Sequence, residues 1–330
     1  MKKLINSVDA VEEQMILGLV KSAPTKLRKL DCGNVVVRAA KKSADKVALV
    51  SGGGSGHEPS HGGFVGKGML DCAVAGAVFT SPTPDKILEG IKAVATDAGV
   101  LCIVKNYTGD VLNFEMAMDM AADEDIKVAH VVVNDDVAVQ DSLYTTGRRG
   151  VAGTVLVHKI AGAKAEQGAA LDDVKAVAEK VIANVRTMGM AISPCTVPAA
   201  GKPGFELADD EIEIGIGIHG EPGTHRDKLT SADNIAKTLL DKILADIDFS
   251  WREVVVLVNG MGATPLMELY IINNFVQDYL AQAGVKVYDT MVGNYMTSIE
   301  MAGFSLTLLR LDDELKQLYD APADTPALKR

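Results

Sequence analysis

The chain has 330 residues, enough for two domains on a prior of about 150 residues each. Apolar residues make up 48% and charged residues 23%, an ordinary globular balance that argues against a disordered or fibrous chain. The formal net charge of −11 argues against a general nucleic-acid or anionic-membrane surface, since either needs a basic face.

Cys32, Cys72, Cys102 and Cys195 show no CxxC spacing, which speaks against a zinc site or a disulfide framework. The two lysines near the start have no apolar run behind them, so no secretory signal is expected. No apolar stretch approaches the roughly 20 residues that span a bilayer. The expected address is cytoplasmic.

In chain order, an amphipathic helix is expected from Val8 to Val20, followed by apolar runs that read as strands at Val35–Arg38, Val47–Ser51, Ala73–Phe79, Val100–Lys105 and Val128–Val133. Between them Pro84–Ala98 reads as a helix with Thr83 as N-cap and proline at the first helical position. A further helix is expected over Asp110–Ala122. From Gly153 to about Ala191 two helical patterns follow each other, with Val174, Val177, Val181 and Val185 forming one stripe.

A break with three prolines, SPCTVPAAGKPG, then places a domain boundary, giving units of residues 1–192 and 193–330. Beyond it Glu211–Ile218 and Glu253–Val258 read as strands, Ser231–Ile247 and Thr264–Ala283 as helices, and Val285–Leu311 as further strands and loops. Strand–helix alternation of this kind predicts an α/β fold of two domains, each a largely parallel or mixed sheet flanked by helices.

The densest signal is Ser51–Gly63, SGGGSGHEPSHGG, with six glycines and two histidines directly after a predicted strand. Glycines let the backbone approach a ligand closely and present N–H donors. His57-Glu58-Pro59-Ser60-His61 matches the letters of the HExxH zinc motif, which works only where a helix puts both histidines on one face. Pro59 opposes that helix, because it lacks an N–H and clashes with the preceding turn. GGFVGKG, residues 62–68, is a P-loop near miss, with Gly68 where a Ser or Thr is needed for magnesium. No metal and no nucleotide are therefore expected on this loop.

KNYTGD puts Lys105 and Asp110 at the carboxyl end of a strand, where ligands bind in open α/β sheets. Asp110 could equally cap the helix that follows. His219, in GIGIHGEPG, again ends an apolar strand at a turn, a position more often structural than catalytic. His225 reads as a surface residue, and His130 and His158 as packing or surface residues.

Together, SGGGSGHEPSHGGFVGKGMLDCAVAGAVFTSPTPD, KNYTGD, GIGIHGEPG, NGMGATP and GNYMTSIEMAGFSLTL resemble the substrate-binding K subunit of the dihydroxyacetone kinases. They follow the family order and span nearly the whole chain. The resemblance implies a covalent hemiaminal between a ring nitrogen of His219 and the carbonyl carbon of dihydroxyacetone. It implies Gly54, Ser55, Gly56, Lys105 and Asp110 around the substrate, with His57 and Asp110 as acid/base groups toward its hydroxyls. A homodimer is also implied.

The sequence ends soon after the second predicted domain. Adenine nucleotide and magnesium are then expected on a separate L subunit, recharged by a phosphotransferase M subunit, with no cofactor on this chain. Some similar proteins are dihydroxyacetone-binding transcriptional coactivators, which is the alternative reading.

Overall fold

A computed structural model describes residues 2–40, 45–141, 145–250 and 252–330. The first part of the chain runs α1 (Val11–Ser22), β1 (Leu27–Lys29), β2 (Val35–Arg38), β3 (Ala48–Ser55), β4 (Cys72–Val78), α2 (Pro84–Val94), β5 (Val100–Lys105), α3 (Thr108–Asp123) and β6 (Val128–Val133). The helices α4 (Thr154–Glu166) and α5 (Leu171–Asn184) follow. The rest runs β7 (Val185–Ser193), β8 (Glu211–Ile214), β9 (His225–Lys228), α6 (Ala232–Asp246), β10 (Glu253–Gly260), α7 (Leu266–Gln282), β11 (Lys286–Gly293), β12 (Ala302–Leu311) and α8 (Asp313–Asp320).

Two mixed six-stranded sheets result, as the alternation predicts. The first has the order β1-β2-β4-β3-β5-β6, with β4, β3, β5 and β6 parallel. The chain leaves β3 toward β4 but leaves β5 toward β6, so the order reverses between β3 and β5. A crevice at the carboxyl ends of those two strands is where such a sheet holds a ligand. The second sheet has the order β11-β10-β12-β7-β8-β9 and is antiparallel except for the β10–β11 pair.

Buried side chains explain the layering. Val35, Val50, Val74 and Val104 turn one face of the first sheet to Ile87 and Ile91 of α2 and Phe114 of α3. Leu49, Leu101 and Ile103 turn the other face to α4 and α5, and Val255, Leu257 and Leu309 of the second sheet reach the same core from beyond. Every residue of α4 from Thr154 to Ala163 is buried, which suits a helix packed from all sides. The second sheet's far face packs on α6 and α7 through Val254, Val256, Leu239 and Val276.

Four expectations need correction. The helical reading up to Ala191 fails at Val185, where α5 passes straight into β7, with Met188 and Met190 joining the second sheet's core. The valine stripe runs through that junction unbroken and so hides it. The predicted division between residues 192 and 193 falls inside β7. The strand expected to reach Ile218 ends at Ile214, because Gly215 turns the chain with φ +78°. Thr83 stands at the N-cap of α2 but its hydroxyl bonds Asp85 rather than a helix amide, whereas Ser231 does cap α6 by accepting from the Asn234 amide. No helix among the described residues is long and apolar enough to cross a membrane.

Candidate active site

β3 ends in the glycine run. Lys105, at the end of β5, sends its fully buried side chain toward Gly53, where a Cβ would collide with Nζ and lie 3.5 Å from Asp110 Oδ2. A residue with a side chain at position 53 would therefore displace the lysine. Asp110, in the first turn of α3, is itself nearly buried and meets Nζ through Oδ2 at 3.4 Å. Its Oδ1 has no hydrogen-bond partner among the described residues. The aspartate thus presents a free acceptor instead of capping its helix.

His57 lies in a turn, not a helix. Its carbonyl accepts from the Thr297 amide, and the Gly56 carbonyl accepts from the Ile299 amide. Asn259, at the end of β10, fixes that clamp by donating to the Met296 carbonyl and accepting from the amides of Tyr295 and Met296. The second sheet thereby holds the loop of the first. His57 Nδ1 donates to the Thr297 carbonyl at 2.8 Å, and the ring stacks on Phe79 with centroids 5.2 Å apart.

His219 sits on the turn after β8. Its Nδ1 is 2.8 Å from Glu221 Oε1, and its amide donates to Glu221 Oε2 at 3.0 Å. The edges of Tyr107 and Phe79 hold its ring, with centroids 4.6 and 5.2 Å away. Glu221 is buried, which raises its proton affinity, yet His219 and Arg149 hold its carboxyl at about 2. It is ionised, so His219 Nδ1 carries the proton of that bond.

Both Nδ1 atoms are thus donors, and the two Nε2 atoms face each other 3.1 Å apart. Two lone pairs at that distance repel; one proton between them satisfies both. Burial, His219 and Lys105 push the proton affinity of His57 well below that of an ordinary histidine, so His57 by itself is neutral and gives up a shared proton readily. The pair thus places two imidazole nitrogens that share one proton at a single point.

A cavity of ≈ 540 Å³ opens beside the pair, walled by Gly54, Phe79, Ser81, Tyr107, Asp110 and His219. Of the residues expected at a substrate, Gly54, Asp110 and His219 line this cavity, while Lys105 and His57 stand behind Asp110 and His219 respectively. Ser55 and Gly56 are not part of its wall. The Ser55 hydroxyl donates to the Gly76 carbonyl within the sheet, and the Gly56 amide is taken by Glu58. Glu221, Thr297, Phe79 and Tyr107 were not singled out in the sequence.

His61 turns away from this site. Its Nδ1 lies 2.9 Å from His158 Nε2, so His57 and His61 do not share a face as HExxH requires. Among the described residues, no group of three or more His, Cys, Asp or Glu side chains is placed to hold a metal.

The profile of the Dak1 domain matches residues 17–327. The dihydroxyacetone-binding subunit of a dihydroxyacetone kinase from Listeria innocua, described as PTS-dependent, is 60% identical over 99% of this chain and 100% of its own length. The corresponding subunit from Escherichia coli, described as PEP-dependent, is 48% identical, with 99% of each chain covered. Among solved structures, the dihydroxyacetone kinase of C. freundii superposes with a TM-score of 0.91 at 35% identity, over 98% of this chain and 60% of that one. A co-activator of a dihydroxyacetone kinase operon superposes with a TM-score of 0.90 at 38% identity, over 96% of this chain and 97% of that one. With a profile match and identities of this size along nearly its whole length, the chain belongs to the Dak1 domain family.

Proposed function

We propose that this chain is the dihydroxyacetone-binding subunit of a dihydroxyacetone kinase, a phosphotransferase, and that it holds the ketone covalently on His219. The observation that carries the reading is the facing pair of His57 and His219 beside a cavity that also presents Asp110. His219 Nε2 adds its lone pair to the carbonyl carbon, forming a C–N bond. The C=O π pair moves to oxygen and takes the proton from His57 Nε2, leaving a hydroxyl.

The adduct is a cationic imidazolium that keeps Nδ1–H on ionised Glu221. The charge His57 gives up therefore reappears on His219, next to its counter-charge. The bonded nitrogen has no proton to lose, so the adduct cannot dehydrate to an imine as a lysine adduct does. His57, now neutral, and Asp110 are left as acceptors for the proton of the hydroxyl that attacks phosphorus.

The phosphate donor, adenine nucleotide with magnesium, is assigned to a separate L subunit, itself recharged by an M subunit. A homodimer in the cytoplasm completes the reading. A second reading, a transcriptional coactivator, is favoured by the likeness to the operon co-activator, but that protein is 38% identical and the Listeria kinase subunit 60%. The test is to incubate the chain with dihydroxyacetone and MgATP, then add the L subunit. Dihydroxyacetone phosphate should form only after the addition. Turnover by this chain alone, or none after the addition, would contradict the kinase reading.

A further inference from the structure

Beneath the turn that carries His219 lies a row of alternating charges. Arg149, from the segment before α4, has no solvent exposure. Its Nε and Nη2 each lie 2.7 Å from Asp136 Oδ2, and Nη2 also donates to the Gly215 carbonyl at 2.7 Å. Asp136 is fixed in turn, because its Oδ1 accepts from the Ala138 amide and its own amide donates to the Arg149 carbonyl. The guanidinium is therefore clamped under the start of the His219 turn.

The remaining nitrogen, Arg149 Nη1, is buried without a hydrogen-bond partner among the described residues. It faces the bare Cα of Gly217: a Cβ there would stand 2.7 Å from Nη1 and collide with Glu221 Oε2. Cation and carboxylate thus flank the bare face of Gly217 without a direct ion-pair contact, close enough for the guanidinium to act on the carboxylate's charge. Asp136, Arg149, Glu221 and His219 follow one another in a row, with Glu221 at His219 Nδ1 and His57 at the opposite nitrogen, Nε2.

We propose that Arg149 is a positioning residue: its charge, gripped by Asp136, offsets the Glu221 carboxylate and so keeps His219 in the Nδ1–H form with Nε2 bare. A carboxylate 2.8 Å from an imidazole draws a second proton onto the ring, and Nε2 is the open place for it. Arg149 acts on the same carboxylate from across Gly217 and opposes that pull. The other groups facing Glu221 do not replace it. Tyr107 stays neutral because burial and the nearby Glu221 push its hydroxyl well above the usual range. Asp136 adds negative charge behind Arg149, and His57 meets His219 on its far side. The role rests on the reading of His219 as the nucleophile.

The test follows the ring nitrogens of His219 by ¹⁵N NMR across pH, which needs no substrate. In Arg149→Met the ring should titrate at a pH higher by about 1–3 units, the usual weight of one close opposite charge. Arg149→Lys, which keeps the charge and loses the fork, should return most of that shift, a rescue that a purely structural role does not give. If Arg149→Met fails to fold, Asp136→Asn with Arg149→Met removes the stranded carboxylate and should show the same shift. An unchanged titration in a folded variant, or a Lys variant that moves as far as Met, overturns the inference. Failure of the wild-type protein to form any ketone adduct would instead strike the hemiaminal reading, leaving the ring titration to judge Arg149.

Discussion

Two histidine pairs branch from one loop, four residues apart. His57 meets His219 with ring centroids 4.7 Å apart, and His61 meets His158 at 5.2 Å, both in edge-on geometry. The nitrogens that do not face the partner ring separate them. In the first pair both are taken, one by the Thr297 carbonyl and one by the Glu221 carboxylate, which leaves the two facing nitrogens to share a single proton. In the second pair the outer nitrogens, His61 Nε2 and His158 Nδ1, have no partner among the described residues. A single N–H···N bond between two neutral rings then satisfies the contact.

Burial, reinforced by Lys105, pushes His158 down to about 3 and His61 well below the ordinary range, so this second pair stays uncharged. Close approach of two imidazoles is therefore not chemistry in itself. The acceptor behind each ring decides which nitrogen is left with a lone pair, and an ionised carboxylate behind one ring lets an adduct carry positive charge.

The largest expected effect tests which pair the Lys105–Asp110 ion pair serves, since the Lys105 charge acts on both. Asp110→Asn keeps the size and removes an acceptor for the hydroxyl proton. Turnover with the L subunit should fall on the order of 10²–10⁴-fold, while the ketone adduct still forms. Near-normal turnover would move Asp110 to the structural side of the comparison and leave His57 as the base.

A smaller effect is expected at the second pair. His158 is neutral in the folded protein down to about pH 3, whereas in the unfolded chain it takes a proton near 6.5. The unfolded state binds more protons over that interval, so stability present above pH 6.5 is lost as the pH falls toward 3. His158→Leu should remove that dependence. In urea melts, the wild-type protein should lose about 2 kcal/mol more than the variant between pH 7 and pH 5. Adduct formation should be the same in both proteins. Equal pH slopes would mean that His158 is not held neutral, and the contrast between the pairs would lose its basis.

Much of this architecture could be read from residues alone. β2, β5 and β6 begin and end where their valine-rich runs do, and glycine, lysine and aspartate at strand ends marked the crevice. β7 could not be read, because the helical spacing of Val181 and Val185 continues across its start. At the site, resemblance singled out His57, Lys105, Asp110 and His219, and the fold brings all four together. Glu221 left a faint local signal, an acidic residue two places after a strand-end histidine. Thr297 left none, since it acts through a backbone carbonyl that any residue supplies. Arg149 and Asp136 meet the His219 turn through packing between distant segments, which no local pattern encodes.

The central claim is that only the first pair, through His219, adds to a carbonyl. Intact-mass spectrometry after mild trapping, followed by peptide mapping, tests it directly. With dihydroxyacetone the account predicts one adduct per chain, on the peptide containing His219, lost in His219→Ala and absent with glycerol, which has similar hydroxyls but no electrophilic carbon. An adduct mapped to Lys105, His61 or His158, or an unchanged preference for ketone over glycerol in His219→Ala, would contradict it.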